Sequence, residues 1–371
     1  MIVQGENPVG EHAEDEYLVE RFTLDKKDIK KLVDVIQASY LTNDPEQGGT
    51  ISFTEQTFNI FFGSPSIPKN LFIRAVHKPT GEIVGFVGGN PRPIYVNGKT
   101  YKTGVPGTLA VHPNHRRKNL ALRMSFEMLK AGKELGFDGG FGIFEPEAHG
   151  IDTSVAMLRE VEMHSREAIR IKKFIIRVFD VKKMSDVVKT KWYEKLALRL
   201  FQGVPRMNNP RVRKYKPSDT DRMFELLDDH RTHNQVSFTR EKEDFAWFLN
   251  QSGVNCVVHE DTDGKPDGFI IAWEFIIAGF EKHHPFGWLD MVHTYRLKTS
   301  DAVDLCNYLA QTSKERGWIG LQSPYIPYFD PAPLKKARFI FYPKELIVRF
   351  YSFIDNIPLP DKIEKFYFDW R

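Results

Sequence analysis

The stretch Gly107-Thr-Leu-Ala-Val-His-Pro-Asn-His-Arg-Arg-Lys-Asn-Leu-Ala-Leu-Arg-Met124 decides how this chain is read. An apolar strand runs into a cationic turn, and the turn opens directly onto a helix. Such a junction builds an anion site, because first-turn N–H groups lack intrahelical partners and the positive end of the helix dipole points the same way. An isolated basic triplet reads as a solvated turn. The helix start immediately after Arg116, Arg117 and Lys118 shifts the reading toward a phosphate or pyrophosphate ligand.

Downstream, Leu120, Met124 and Met128 share an apolar helix face, Arg123, Glu127, Lys130 and Glu134 a polar one, and Gly136 supplies the stop. Lys133-Glu-Leu-Gly-Phe-Asp-Gly139 then recurs as Lys314-Glu-Arg-Gly-Trp-Ile-Gly320, and Val111-His112 recurs as Val292-His293, both at an offset of 181 residues. Gly81-Glu-Ile-Val-Gly-Phe86 is matched by Gly264-Lys-Pro-Asp-Gly-Phe269, and Ser52-Phe-Thr54 by Ser237-Phe-Thr239. The matches keep their order at nearly constant spacing, which indicates an internal duplication.

Both halves carry the same pattern. A strand (17–24, then 212–215) leads to a helix (28–41, then 219–230), and two strands follow (71–77 and 83–88, then 254–259 and 268–275). A strand–helix–strand unit closes each half. The second main helix buries Ala302, Leu305, Cys306, Leu309 and Ser313 behind a Thr299-Ser300-Asp301 cap, with Gly317 as its stop. This order predicts an α/β fold, a mixed sheet with helices on both faces. The expected domains are residues 1–185 and 211–371, separated by a linker helix and boundary at 186–210. In that helix Val188, Trp192, Leu196 and Leu200 stand opposite Lys189, Lys191, Lys195 and Arg199. A helix docked on both halves is expected in preference to a membrane-surface helix.

Composition bounds the function. At 371 residues, with 41% apolar and 27% charged residues, the chain is long enough for two cores and has the make-up of a soluble globular protein. No apolar run approaches the roughly 18 residues of a membrane span, so no stable membrane insertion is expected. A net charge of +3 argues against nucleic acid as a partner. Cys256 and Cys306 are read as reduced core residues of a cytoplasmic protein, and neither they nor the adjacent His283 and His284 have metal spacing. Oligomeric state is not legible.

The run Arg116-Arg-Lys-Asn-Leu-Ala121, together with the order of elements, resembles the GCN5-related N-acetyltransferase (GNAT) superfamily. Its pyrophosphate loop reads Arg or Gln, two residues, Gly, one residue, Gly or Ala. Asn119 stands where Gly is usual, a tolerable departure because Asn adopts left-handed dihedrals more readily than most residues. Two copies, the second without the loop, resemble the tandem arrangement of N-myristoyltransferases.

The resemblance implies two tandem GNAT-like acyl-CoA N-acyltransferase domains, the second degenerate. Acyl-CoA, expected to be acetyl-CoA, would lie with its pyrophosphate on Arg116, Arg117, Lys118, Asn119, Leu120 and Ala121 and its pantetheine along Leu109, Ala110 and Val111. A main-chain N–H near Val111 would meet the thioester carbonyl, and a primary amine on a small molecule or peptide would attack it. No metal is implied.

Such an amine needs a general base, for which Glu145, Glu147 and His149 are candidates just past the next strand, Glu145 being preferred. Arg159 occupies the place of the family's thiol-protonating Tyr. A non-catalytic acyl-CoA-binding protein and a longer-chain N-acyltransferase are therefore the alternatives. Aromatic-rich stretches at Trp273-Glu-Phe275, His283–Trp288 and Tyr325–Phe329 read as core in preference to the lining of an acceptor cleft, the alternative in which Glu274, Asp290 and Arg371 would contribute to amine binding.

Overall fold

The computed structural model describes residues 16–41, 48–146, 163–353 and 357–371. The first half runs β1 (Tyr17–Arg21), α1 (Lys26–Leu41), β2 (Thr50–Ser52), α2 (Glu55–Phe62), β3 (Phe72–His77), β4 (Glu82–Pro91), β5 (Ile94–Val96) and β6 (Lys99–Tyr101). It continues through β7 (Thr103–Val111), α3 (Leu120–Glu134), β8 (Gly139–Phe144) and β9 (His164–Val178). Two connecting helices follow, α4 (Val181–Val187) and α5 (Trp192–Phe201).

The second half repeats the order. It comprises β10 (Val212–Lys214), α6 (Thr220–Asp228), α7 (His230–His233), β11 (Val236–Phe238), α8 (Lys242–Leu249), β12 (Val254–Glu260), β13 (Pro266–Gly279) and β14 (Lys282–His293). It closes with α9 (Thr299–Glu315), β15 (Gly320–Pro324), α10 (Ala332–Lys336), β16 (Ile340–Ser352) and the short β17 (Phe366–Tyr367).

Helix faces follow the apolar spacing. Leu32, Val33, Val35 and Ile36 are buried on α1, and Leu120, Met124, Met128 and Ala131 on α3. The main helices α3 and α9 are each followed by a left-handed glycine, Gly136 at φ 70° and Gly317 at φ 84°, which ends the helix without a Cβ clash. The expected cap of α9 is not there: Thr299 is its first residue, and Lys298 precedes it without a side-chain capping bond. The expected linker helix is also broken, because α4 ends at Val187 and α5 begins only at Trp192.

The main sheet has the order β1-β3-β4-β7-β8-β16-β9-β15-β14-β13-β12-β10, with β2 pairing β13. Read from either edge, the order is the same in repeat terms, and its centre shows why. The last long strand of each half crosses to the other: β16 pairs β8, and β9 pairs β15. The two exchanged strands also pair with each other, antiparallel from Ile340↔Ile176 to Ser352↔His164.

A second sheet, β17-β11-β5-β6, again draws strands from both halves. The largest apolar cluster therefore runs across the molecule, with Phe141 of the first half against Phe238 and Phe350 of the second. Among the described residues no helix is long and apolar enough to cross a membrane.

Candidate functional site

In each half the two strands flanking the main helix are parallel neighbours that pair only briefly and then part. In the first, β7 and β8 are joined at Thr103↔Gly139 and Gly104↔Gly140, after which they diverge. The wedge they leave opens into a cavity of about 360 Å³ lined by both strands, by Leu71, Val87 and Gly89, and by Met128, Leu129 and Gly132 of α3. Phe137, Met163, Tyr351 and Phe353 complete an apolar wall. Glycines at 104, 107, 139, 140 and 142 line the wedge, and at 139, 140 and 142 a Cβ would run into neighbouring atoms, so the strands approach there as only glycine allows.

The strand β7 is bulged where it faces this space. Phe86 pairs Ala110 and Gly88 pairs Gly107, so Thr108 and Leu109 together stand opposite Val87. Thr108 takes a left-handed φ of 54°, a conformation rare for a β-branched residue. A bulge removes main-chain groups from the ladder, and these two residues line the cavity just past the point where β8 has departed. Val111, by contrast, keeps a regular partner in Gly85. The irregularity thus falls at Thr108 and Leu109, just ahead of Val111.

Past β7 the chain makes one turn of 3₁₀ helix (Pro113–His115) and enters the basic loop. Arg117 is left-handed at φ 64°, and Asn119, which precedes α3, at φ 55°. Alternation of left-handed with ordinary dihedrals gathers main-chain N–H groups into an anion-binding concavity. Asn119 takes the left-handed dihedral that Asn tolerates better than most residues. Its side chain makes no capping bond, so the first-turn N–H groups of α3 are not taken by it.

Arg116 behaves differently from expectation. Its guanidinium donates to the Ser39 carbonyl of α1 at 2.8 Å, anchoring the loop, while Arg117 and Lys118 are exposed. Leu120 is buried beneath the loop, whereas Ala121 is exposed. Leu109 is partly exposed, and Ala110 is buried.

The proposed bases fare less well. Glu145 is exposed and lies 3.4 Å from Lys344 of β16, off the cavity wall. Its side chain answers to a neighbouring strand instead of the wedge. Glu147, His149 and Arg159 lie outside the described residues. Among the described residues no carboxylate or imidazole lines the cavity; its polar lining residues are Tyr40, Asn90, Thr108, Ser125 and Tyr351. Burial pushes the Tyr40 phenol up to about 12. No group of three or more possible metal ligands occurs among the described residues.

Most of the aromatic residues in these stretches form core, while Tyr328 and Phe329 also line a space of about 410 Å³ with Thr294, Tyr295 and Leu297. Trp273 stacks on Trp288 at 5.7 Å, Phe275 packs on Phe286, and Trp370 closes over Trp288. Glu274 is engaged as well, accepting the Trp318 indole N–H at 2.5 Å.

Arg371 is buried in an ionic cluster that joins the halves. Its guanidinium donates to Asp244 at 2.9 and 2.8 Å and to the Ile60 carbonyl at 2.7 Å. Arg240 donates to Asp244 and Asp369, and Arg92 lies 3.2 Å from Asp369. Burial would raise the Asp244 carboxyl, but Arg240 and Arg371 outweigh it and hold the group far below the carboxylate range. Burial pushes Arg92 down to about 10. Asp290 accepts the Trp370 N–H at 2.6 Å and is pushed up to about 7 by burial and by the Asp369 charge. These residues are scattered from position 60 to 371; only the Val292-His293 repeat hinted that Asp290 sits at a special place.

A wedge between two parting parallel strands, a bulge at its mouth and a basic, left-handed loop leading into a helix together make up the candidate site. Residues 23–137 match the family model described as "Acetyltransferase (GNAT) domain". Among solved structures, N-myristoyltransferase of Saccharomyces cerevisiae with bound myristoyl-CoA is similar, with a TM-score of 0.74 and 17% identity over 95% of this chain and 81% of that one. A second structure of that enzyme gives the same TM-score at 16% identity, over 98% of this chain and 90% of that one. At such identity the likeness establishes the fold. No curated protein matches the sequence.

Proposed function

We propose that this protein is an acyl-CoA-dependent N-acyltransferase that uses an acyl group longer than acetyl. The observation that carries this reading is the apolar cavity of about 360 Å³ adjoining the β7 bulge. A water molecule takes about 30 Å³ of liquid, so the space holds on the order of a dozen waters. An acetyl group would leave most of its apolar wall without contacts. A longer chain against Leu71, Val87, Met128, Leu129 and Phe353 exchanges that exposed wall for burial, at about 0.8 kcal/mol per methylene.

The Arg117–Asn119 loop and the start of α3 bind the pyrophosphate, and the pantetheine follows the free edge of β7 to the bulge. The amine nitrogen attacks the thioester carbonyl carbon, and the resulting oxyanion lies against main-chain N–H groups of Thr108 and Leu109. Collapse of the tetrahedral adduct breaks the C–S bond and expels CoA as the thiolate, the nitrogen loses one proton, which the thiolate takes up through solvent, and the acyl group is left on nitrogen as an amide. Holding amine and thioester together supplies much of the acceleration. The acceptor is a primary amine on a small molecule or peptide.

A second reading, acyl-CoA binding without transfer, is favoured by one observation. The described cavity wall carries no group suited to accept the amine proton. Calorimetry with CoA thioesters from acetyl to palmitoyl, followed by thiol release over a panel of amines, tests both. Affinity rising with chain length and thiol release with an amine would support the proposal. Binding without release would favour the second reading, and tightest binding of acetyl-CoA would overturn the chain-length assignment.

A further inference from the structure

Five of the large apolar side chains exposed on this molecule lie on the ten residues of α5: Trp192 (76% exposed), Leu200 (72%), Leu196 (55%), Tyr193 (49%) and Phe201 (41%). No residue of this helix is fully buried, and Leu198 is the side chain that ties it to the core. The helix touches α4 and β9, but not through the face whose four-residue spacing was expected to dock. Trp192, Leu196 and Leu200 recur at one helical position facing outward, past the α4–α5 break at 188–191.

The charge around this face is one-sided. Between residues 182 and 206 the chain carries Lys182, Lys183, Lys189, Lys191, Lys195, Arg199 and Arg206 against Asp186 and Glu194. The two acids are engaged, Glu194 accepting the Lys191 main-chain N–H at 2.7 Å and Asp186 lying 3.6 Å from His284. Lys191, Lys195 and Arg199 form a stripe beside Trp192, Leu196 and Leu200, one residue earlier at each turn. Phe280, at the tip of the β13–β14 hairpin, is also exposed and left-handed. Its ring lies close to Gly48, which pairs with Val188 just ahead of the helix.

We propose that α5 and its basic flank bind the surface of an anionic lipid bilayer, with Trp192, Leu196 and Leu200 inserted at the headgroup–acyl boundary. Two features favour lipid over a protein partner. Trp and Tyr lead the helix, and these are the side chains enriched where an apolar ring must end in a wet layer. The cationic stripe places long side chains that reach back to phosphates while their methylene stems cover apolar surface. Short basic-amphipathic elements of this kind give reversible attachment that weakens with salt, not insertion across the bilayer. The proposal is independent of the chemistry in the β7–β8 wedge.

Sedimentation of the full chain with vesicles of phosphatidylcholine alone, or of phosphatidylcholine with phosphatidylserine, tests it, with Trp192 emission as a second readout. The expected result is binding to the serine-containing vesicles, a blue shift absent from Trp192→Phe, and loss of binding as salt is raised. A Trp192→Glu, Leu200→Glu double variant should bind at least tenfold more weakly with unchanged thermal unfolding, since both side chains are exposed. A Lys189→Glu, Lys191→Glu variant should lose the preference for serine-containing vesicles. No binding by the wild type, or equal binding by the double variant, would overturn the proposal. So would a wild-type dimer, dissociated by the double variant, that ignores vesicles; that result would assign the face to a second copy of the chain.

Discussion

The two wedges of this molecule are built alike and used differently. Between β7 and β8 there is a cavity of about 360 Å³; between β14 and β15, which pair only at Gly287↔Leu321 and Trp288↔Gln322, about 10 Å³ remains. The second space is filled by Ile326, Tyr328, Phe329 and Trp370, and the Val292 N–H donates to the Tyr328 hydroxyl at 2.9 Å. Both wedges have a bulge at the same repeat position. In β14 the extra residue is Asp290, which falls 181 residues after Leu109.

The loops diverge in parallel with the wedges. Arg117 and Lys118 are exposed beside left-handed backbone, whereas Arg296 is paired with Asp229, which also accepts the Tyr295 hydroxyl. Duplication supplied two potential ligand slots. One keeps small residues around an open space, and in the other the wedge itself is packed, a space of about 410 Å³ remaining only beside Thr294, Tyr295, Leu297 and Tyr328.

If the second wedge is structural, its ionic clamp should matter most to stability. Asp244→Ala leaves Arg240 and Arg371 buried without their shared carboxylate and should cost about 3–5 kcal/mol in urea unfolding. A loss under about 1 kcal/mol would break the contrast between the halves.

The loops give the next test. Removing Arg117 and Lys118 together should weaken CoA binding by roughly 2 kcal/mol, or about thirtyfold, if each exposed charge contributes about 1 kcal/mol. Arg296→Ala should leave CoA affinity unchanged, and calorimetry on both variants would reveal whether the loops really differ.

Gly132 gives a sharper probe of the open wedge. A Cβ there would meet Phe353 at 3.5 Å, ordinary contact, so Gly132→Leu should fold and fill the cavity. It should lower kcat/KM for the longest accepted acyl-CoA by at least about tenfold while sparing short ones, the discrimination expected from loss of a methylene-sized space. An unaltered chain-length profile would place the acyl group elsewhere.

The smallest effect concerns the second bulge. The Asp290 carboxyl is raised to about 7 in the folded state, so folding retains a proton that the unfolded chain releases near pH 4. Its contribution is therefore full below pH 4 and declines as pH rises toward 7. Asp290→Asn keeps an acceptor for the Trp370 N–H and should flatten that decline in unfolding free energy measured from pH 4 to 8. An identical slope in the variant would assign the titration to another group.

Much of this arrangement was legible in the chain itself. The 181-residue offset, the apolar faces of α1, α3 and α9, and the Gly136 and Gly317 stops are local signals, and local periodicity reports which face of an element is buried. The loop was equally visible, because its cationic run lies beside a helix start. Periodicity does not report where neighbouring strands part, so the cavity and the Thr108–Leu109 bulge were missed, although glycines at 104, 107, 139, 140 and 142 were an available sign. Arg116 turned to Ser39 because a neighbouring helix offered a carbonyl, which no motif records. The Arg92–Asp244–Arg371 cluster depends on three distant segments meeting, and α5 misled because its spacing matches a docked helix as well as an outward-facing one.

The exchange of β9 and β16 has a consequence of its own. Each half finishes its sheet with a strand from the other, so neither segment cut out alone contains a full set of ladder partners. Topologically the molecule is a domain-swapped dimer whose two copies have been tied end to end, the tether running through α4 and α5. Severing that tether should yield two fragments that find each other again, while diluting either fragment alone should leave it unable to hold its own shape.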